Sequence, residues 1–149
     1  MNRIVLLLLI LLLTGSISHA AQFDIDHFNG IKWGVLLPQS GFKLFSKGSD
    51  GEKFYSRMID KSKLEGIPVE ELTYTSKAGR FVSAHALFQG ENDYQKIRHL
   101  CQKIFGNSRE NLAGREFFKI SQGGKFVTAM LQFSNGRGMV NFNCDRGRR

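Results

Sequence analysis

Short alternating segments separated by glycine-containing turns constrain this chain more than any other feature. Residues 69–76 and 80–88 alternate apolar and polar side chains, and a turn ending in Gly79 stands between them. Glycine allows the left-handed backbone that a tight turn requires, so the pattern predicts an antiparallel hairpin. Two further strands are predicted before this hairpin, at 42–45 and 53–59.

One helix is predicted after the hairpin, over residues 91–105. Apolar side chains recur along it at the spacing of a single helical face, Asn92 is a suitable N-cap, and a glycine follows its last residue. Three strands are predicted after the helix, at 115–120, 125–133 and 137–144, and glycine-containing turns separate them.

These elements predict the α+β fold class. We expect an antiparallel sheet of about five to seven strands, built from the hairpin, the single helix and the three-stranded meander. Short links between strands require antiparallel pairing, and an apolar sheet face must be covered. We therefore expect the helix to cover one face of the sheet.

The chain has 149 residues, which is too short for two domains of ordinary size. We predict a signal peptide at residues 1–20 and an irregular amino-terminal segment at 21–41. A single α+β domain is predicted at 42–144, and a basic tail at 145–149.

The amino terminus has the organisation of an export signal. Arg3 supplies a positive charge, residues 4–13 are apolar without interruption, and small side chains stand at Ser18 and Ala20. This apolar run is about half the roughly 20 residues that a membrane span needs. We expect cleavage before Ala21 and a periplasmic or secreted product without a membrane anchor.

Export would place the two cysteines, Cys101 and Cys144, in an oxidising compartment. Cys101 lies on the apolar face of the predicted helix, and Cys144 alternates with Phe142 onto one face of the last strand. If the helix packs on that sheet face, both sulfurs point into the same layer. We therefore expect a disulfide between them, with two buried reduced thiols as the alternative.

Four short segments are similar to those of small exported bacterial proteins of uncharacterised function. These segments are GIPVEELTY at 66–74, the turn at Gly79, FQG at 88–90 and IFG at 104–106. The resemblance covers residues 54–143. It implies a periplasmic or envelope setting and supplies no catalytic residues.

The sequence lacks the common enzyme motifs. It contains no phosphate-binding glycine loop, no GxGxxG, HExxH or GxSxG motif, and no Cys/His cluster with zinc spacing. The glycines at 123–124 and 136–138 are explained as hairpin turns. Asp24, Asp26 and His27 are close together, but their place near the new amino terminus is typical of a solvated leader. We predict no catalytic residue, no metal site and no cofactor.

A small secreted hydrolase resembling a ribonuclease is the alternative function. Such chemistry needs an acid and a base on either side of a phosphate, with help from cations. His85 or His99 would act there with a carboxylate such as Glu116. Because a histidine within a strand or on an outer helix face is an ordinary structural feature, we prefer a function without catalysis.

The positive charge is concentrated in the second half of the chain. Residues 21–95 carry nine basic and ten acidic side chains, whereas residues 96–149 carry eleven and three. We therefore predict an exported binding or accessory module whose basic half contacts an anionic partner. A solvated surface that only aids solubility is the alternative. The predicted contact residues are Lys96, His99, Lys103, Arg109 and Arg137.

The expected partner is an acidic envelope protein, a phospholipid headgroup or a cell-wall polymer. Nucleic acid is less favoured, because no aromatic stacking motif is interleaved with the cations and export removes the chain from the usual nucleic-acid targets. A structural envelope component with an apolar, phenylalanine-rich interface is a third hypothesis.

Overall fold

The computed structural model describes residues 24–37, 41–59 and 63–146, so the predicted signal peptide lies outside the described residues. The described part contains one helix, α1 (Glu91–Phe105), and twelve strands. Four strands form two small hairpins, which pair β1 (His27–Phe28) with β2 (Ile31–Lys32) and β5 (Lys63–Leu64) with β6 (Ile67–Pro68). No described helix has the length and apolar character needed to cross a membrane.

The remaining strands form one antiparallel sheet of eight. They are β3 (Phe42–Lys47), β4 (Glu52–Arg57), β7 (Glu71–Lys77), β8 (Arg80–Gln89), β9 (Glu110–Leu112), β10 (Arg115–Gln122), β11 (Lys125–Ser134) and β12 (Arg137–Arg146). Their order in the sheet is β3-β4-β7-β8-β12-β11-β10-β9. Two four-stranded meanders, joined in sequence by α1, therefore meet where β8 pairs with β12.

The α+β class, with an antiparallel sheet and one helix in the described residues, agrees with the sequence prediction. The sheet has eight strands rather than five to seven. The strand that the sequence pattern missed is β9, whose three residues are too few to show alternation. At the start of α1, Gly90 occupies the N-cap position with a φ of 89°, in place of the predicted Asn92.

One face of the sheet, the apolar face, carries the hydrophobic core. α1 buries Ile97, Cys101 and Ile104 against it. At the carboxyl end of the helix, Phe105 stacks on Phe142 with ring centroids 6.2 Å apart. The helix packs on the apolar face but does not cover it alone.

The segment 24–37 covers the rest of the apolar face. Trp33 stacks on Phe81 with ring centroids 4.4 Å apart, and Phe28 contacts Phe142 at 5.0 Å. This segment was expected to be irregular and separate from the domain at 42–144. Its aromatic side chains instead complete the core.

A β-bulge decides which face Phe81 occupies. Strict alternation along β8 would place Phe81 on the side of His85, opposite Ala84. The pairing of β7 with β8 shifts in register between Thr75 and Ser76. This shift returns Phe81 to the apolar face, where it is buried with Ala84.

Gly138 of β12 lies under the ring of Phe88. The two residues are register partners at the centre of the sheet, and a Cβ added at Gly138 would lie 2.1 Å from the Phe88 ring. The sequence interpretation assigned this glycine to a turn. The turn itself needs glycine only at Gly136, whose φ is 76°. Gly138 is therefore a packing residue.

Cys101 and Cys144 are buried on the apolar face but are not joined by a disulfide, contrary to the sequence prediction. The two side chains are buried in the same layer, but their sulfurs are not bonded to each other.

A buried carboxylate fastens α1 to the sheet. Glu116 of β10 is 4 % exposed. Tyr94 Oη donates a hydrogen bond to Glu116 Oε1 at 2.6 Å, and Arg98 Nε donates to both carboxylate oxygens at 2.9 Å. Burial and the hydrogen bond to Glu116 raise the pKa of Tyr94 to about 12, so the phenol remains a donor at neutral pH. Burial and the Glu116 charge raise the pKa of Cys101 to about 12 as well.

We expect Arg98→Met to lower the free energy of unfolding by about 2 kcal/mol, because Glu116 would stay buried without its cation. The loss is smaller than for a fully buried pair because the Arg98 side chain is 38 % exposed. Urea unfolding measures it. Lys96→Met is the matched control, since Lys96 pairs with Asp93 at 3.2 Å on the helix surface and should contribute less than about 1 kcal/mol. Equal losses in the two variants would contradict this role of Glu116.

Candidate functional site

The second face of the sheet is lined by small polar side chains, and we call it the polar face. All described elements outside the main sheet pack on the apolar face. α1 and the segment 24–37 lie there. β5 contacts that segment, since Asn29 Nδ2 donates a hydrogen bond to Lys63 O at 2.9 Å. The central strands β7, β8 and β12 present hydroxyl, amide and imidazole groups on the polar face. These side chains are Thr73, Thr75, Ser83, His85, Asn141 and Asn143.

Two clefts lined by described residues open on the polar face. The larger cleft, of about 650 Å³, lies over β3, β4, β7, β8 and β12. The smaller cleft, of about 380 Å³, lies over β9, β10, β11 and β12. Asn141 and Asn143 line both clefts. The two clefts therefore lie side by side across the strands, and we call the two together the groove.

The hydroxyl groups of the larger cleft are largely withdrawn from solvent. Thr73 and Thr75 are 6 % and 7 % exposed. Thr73 Oγ1 donates to Glu71 Oε1 at 3.0 Å, and Ser83 Oγ donates to Asn141 Oδ1 at 3.0 Å. The cleft thus offers a ligand two hydroxyl groups that are already oriented by hydrogen bonds.

His85 lies at the centre of the polar face, where it is the register partner of both Thr73 and Asn141. Burial lowers the pKa of His85 below its ordinary value of 6.5, and the charge of Glu71 opposes this shift in part. His85 is therefore neutral at pH 7. A neutral imidazole presents one donor and one acceptor to a ligand.

The smaller cleft carries cations beside apolar side chains. Arg109 and Lys119 line it together with Glu110, Phe117 and Met130. The backbone N–H of Arg109 donates to Phe117 O at 2.8 Å, which holds Arg109 beside β10. This end of the groove can therefore contact an anionic group and apolar atoms of one ligand.

The structure does not bring the five predicted basic residues together on one face. Lys96, His99 and Lys103 are exposed on α1, which packs on the apolar face. Arg109 lines the smaller cleft on the opposite side of the sheet. Arg137 is exposed at the start of β12, where it pairs with Gln89. Charge along the chain could not show this division, because it depends on which side of the sheet the helix occupies.

The residues of the hydrolase hypothesis are also separated. Glu116 lies under α1 on the apolar face, whereas His85 lies on the polar face. His99 is exposed on the helix. An acid and a base that act on one phosphate must share a cleft, and these three side chains do not.

The acidic residues near the amino terminus contact basic side chains. His27 Nδ1 lies 2.6 Å from Asp24 Oδ2, and the Lys125 ammonium pairs with Asp26. The contact of Lys125 with Asp26 joins the segment 24–37 to β11. In the described ranges, no three metal-ligating side chains converge.

Sequence reasoning missed the residues that build the larger cleft, above all Thr73, Thr75, Asn141 and Asn143. A signal was available in the outward positions of the predicted strands. A freely solvated sheet face usually carries long charged side chains, whereas these strands carry short hydroxyls and amides. Short polar side chains on a sheet face indicate a surface that is shielded from solvent.

Comparisons with known proteins do not indicate a function for this chain. No protein-family model matches the chain, and no curated protein or solved structure matches it. The function is therefore inferred from the two clefts and the charges that line them.

We expect His85 to titrate with a midpoint below 6.5, because burial disfavours the imidazolium. Glu71→Gln should lower this midpoint further, since the Glu71 charge favours protonation. The pKa is lower in the folded than in the unfolded chain, so the free energy of unfolding should fall as the pH drops from 6.5 through the folded-state value. NMR of the imidazole signals, assigned with His85→Gln, measures the midpoint. A midpoint above 6.5 would contradict the burial of His85.

Proposed function

We propose that the chain is an exported, non-enzymatic binding module that holds an anionic partner on the polar face of its sheet. The observation that carries the proposal is the smaller cleft, where Arg109 and Lys119 stand beside Phe117 and Met130. A concave surface that combines cations with apolar side chains suits carboxylates or phosphates on a partner that also has apolar atoms.

The distribution of charge along the chain supports the proposal. The smaller cleft is built from β9 to β12, which belong to the half with eleven basic and three acidic side chains. The field of this half would attract an acidic partner and accelerate the encounter. The exposed cations Lys96 and Lys103 on α1 would add to this long-range attraction without touching the bound partner.

The arrangement of polar groups in the larger cleft favours binding over catalysis. The Ser83 hydroxyl donates to Asn141 Oδ1, so its proton is directed at an amide oxygen instead of at His85. An activated nucleophile needs a hydrogen bond to a base. The groups in the groove are arranged to make hydrogen bonds to a ligand.

Charge reversal on two surfaces tests the proposal. The double variant Arg109→Glu with Lys119→Glu should bind fluorescent polyglutamate at least about 10-fold more weakly than the unaltered chain, because two contacting cations become anions. The matched control, Lys96→Glu with Lys103→Glu, makes the same change in net charge on α1. Its affinity should fall less than about 3-fold at roughly 0.15 M salt, where charges far from the ligand are screened. Fluorescence anisotropy measures both affinities.

Comparing the two double variants distinguishes three possible results. Equal losses would show that net charge, and not the smaller cleft, holds the polyanion. A larger loss in the α1 variant would move the contact surface to the helix. An unaltered chain that binds neither polyglutamate nor polyphosphate would contradict the proposal itself.

A further inference from the structure

We infer that the partner is a polysaccharide that lies across the strands of the polar face, with an acidic group in the smaller cleft and uncharged sugars over the larger cleft. The inference rests on the proposed function, since the cations of the smaller cleft would hold the acidic group. It adds the chemical class of the partner and the direction in which the partner lies on the sheet.

An unbroken row of side chains crosses the polar face at right angles to the strands. Each member is the register partner of the next, from β4 across β7, β8, β12 and β11 to β10. We call it the transverse row, and its members are, in order, Phe54, Thr75, Ser83, Asn143, Thr128 and Lys119. Every member lines one of the two clefts, and Asn143 lines both. The row is about 24 Å long, because neighbouring strands lie about 4.8 Å apart.

The inner part of the transverse row makes hydrogen bonds without carrying charge. It consists of hydroxyl and amide side chains, which can both donate and accept. Ser83 already donates to Asn141 Oδ1 at 3.0 Å, so its oxygen remains free to accept from a ligand. Sugar hydroxyls also donate and accept, and a polysaccharide carries them on every ring. The row therefore offers hydrogen bonds along the whole length of such a chain.

Two aromatic rings lie at the β4 end of the transverse row. Phe54 ends the row, and Phe45 of β3 lines the same cleft with 54 % of its surface exposed. The C–H groups on one face of a sugar ring are apolar and pack on aromatic rings, while the hydroxyls at its edge reach polar groups. This end of the row therefore combines the apolar and polar contacts that a sugar ring requires.

Positive charge in the transverse row is confined to its β10 end. Lys119 is the one charged member of the row, and Arg109 lines the smaller cleft with it. An acidic group bound there would meet two cations. An anionic sugar placed over Thr75 or Ser83 would meet no cation of the row. The polysaccharide that fits is therefore sparsely acidic.

Two other classes of polymer fit the transverse row less well. A single-stranded nucleic acid carries a phosphate on every nucleotide and needs cations along its path, whereas Lys119 alone is charged in this row. An extended peptide satisfies its backbone by pairing along the edge strand of a sheet, whereas the row crosses the strands. DNA and polyglutamate therefore serve as competing probes.

An array of immobilised polymers, probed with the purified full chain, tests the inference. The array carries the sparsely acidic polysaccharides gellan, xanthan and hyaluronan, together with polyglutamate and single-stranded DNA. At least one polysaccharide should bind at least about 10-fold more tightly than polyglutamate, because hydrogen bonds along the row add to the contacts with the cations. The inference is overturned if polyglutamate or DNA binds as tightly as the best polysaccharide.

Removing two amides from the groove tests the uncharged contacts. Asn141 and Asn143 line both clefts. The variant Asn141→Ala with Asn143→Ala should bind a fluorescent fragment of the best polysaccharide at least about 10-fold more weakly, and polyglutamate less than about 3-fold more weakly, because the amides carry no charge. The matched control, Asn92→Ala with Asn111→Ala, removes two exposed amides outside both clefts and should change neither affinity by more than about 2-fold. Fluorescence anisotropy measures the affinities.

A second variant probes the transverse row with a smaller change. Thr128→Val keeps the shape of the side chain and removes its hydroxyl, so the polysaccharide fragment should bind about 3- to 10-fold more weakly. Circular dichroism and the urea midpoint establish that each variant is folded. Unchanged polysaccharide affinity in both Thr128→Val and Asn141→Ala with Asn143→Ala would overturn the inference.

The remaining outcomes distinguish this inference from the proposed function. If polyglutamate binds as tightly as every polysaccharide, and binding is lost in Arg109→Glu with Lys119→Glu alone, the inference is wrong and the proposed function stands. If a polysaccharide binds but is unaffected by that charge reversal, the proposed function is wrong, and the acidic subsite that rests on it is wrong as well. If no polymer on the array binds, both are wrong.

Discussion

The pairing of β8 with β12 is the interaction on which the rest of the structure depends. It joins two meanders that are each continuous in sequence, and its register runs from Arg137 opposite Gln89 to Asn143 opposite Ser83. The same register sets the Phe88 ring over Gly138 and places Asn141 beside His85. Without this pairing the apolar face would be split, and the two clefts would not share a wall.

The two faces of the sheet withdraw polar residues from solvent in different ways, because only one face has a covering layer among the described elements. On the apolar face, Glu116 is tolerated since Tyr94 and Arg98 satisfy its oxygens and bind the helix to the sheet. On the polar face, Thr73 and Thr75 are equally withdrawn from solvent without a layer above them. These residues line a concave part of the uncovered face, which is the physical reason to look for a ligand there.

In the proposed function, the net charge of the chain would attract the partner before contact, and the lining of the clefts would select the partner on contact. A net charge of +8 attracts an acidic partner within about one Debye length of the surface, whatever its detailed structure. The smaller cleft adds a condition at contact, since its cations lie beside Phe117 and Met130. A partner must therefore present apolar atoms next to its anionic group, which gives specificity that net charge alone cannot.

The sequence by itself determined the helix at 91–105 and seven of the eight sheet strands, because alternation, helical periodicity and glycine turns are local properties of the chain. Tertiary structure alone decided that Phe81 faces the core, since a register shift in the β7–β8 pair reverses its side. It also left Cys101 and Cys144 without a disulfide and placed Arg109 on the other side of the sheet from Lys103. The physical reason is the same in each case: strand order, bulges and the choice of covered face are set by contacts between residues far apart in the chain, and no local pattern records them.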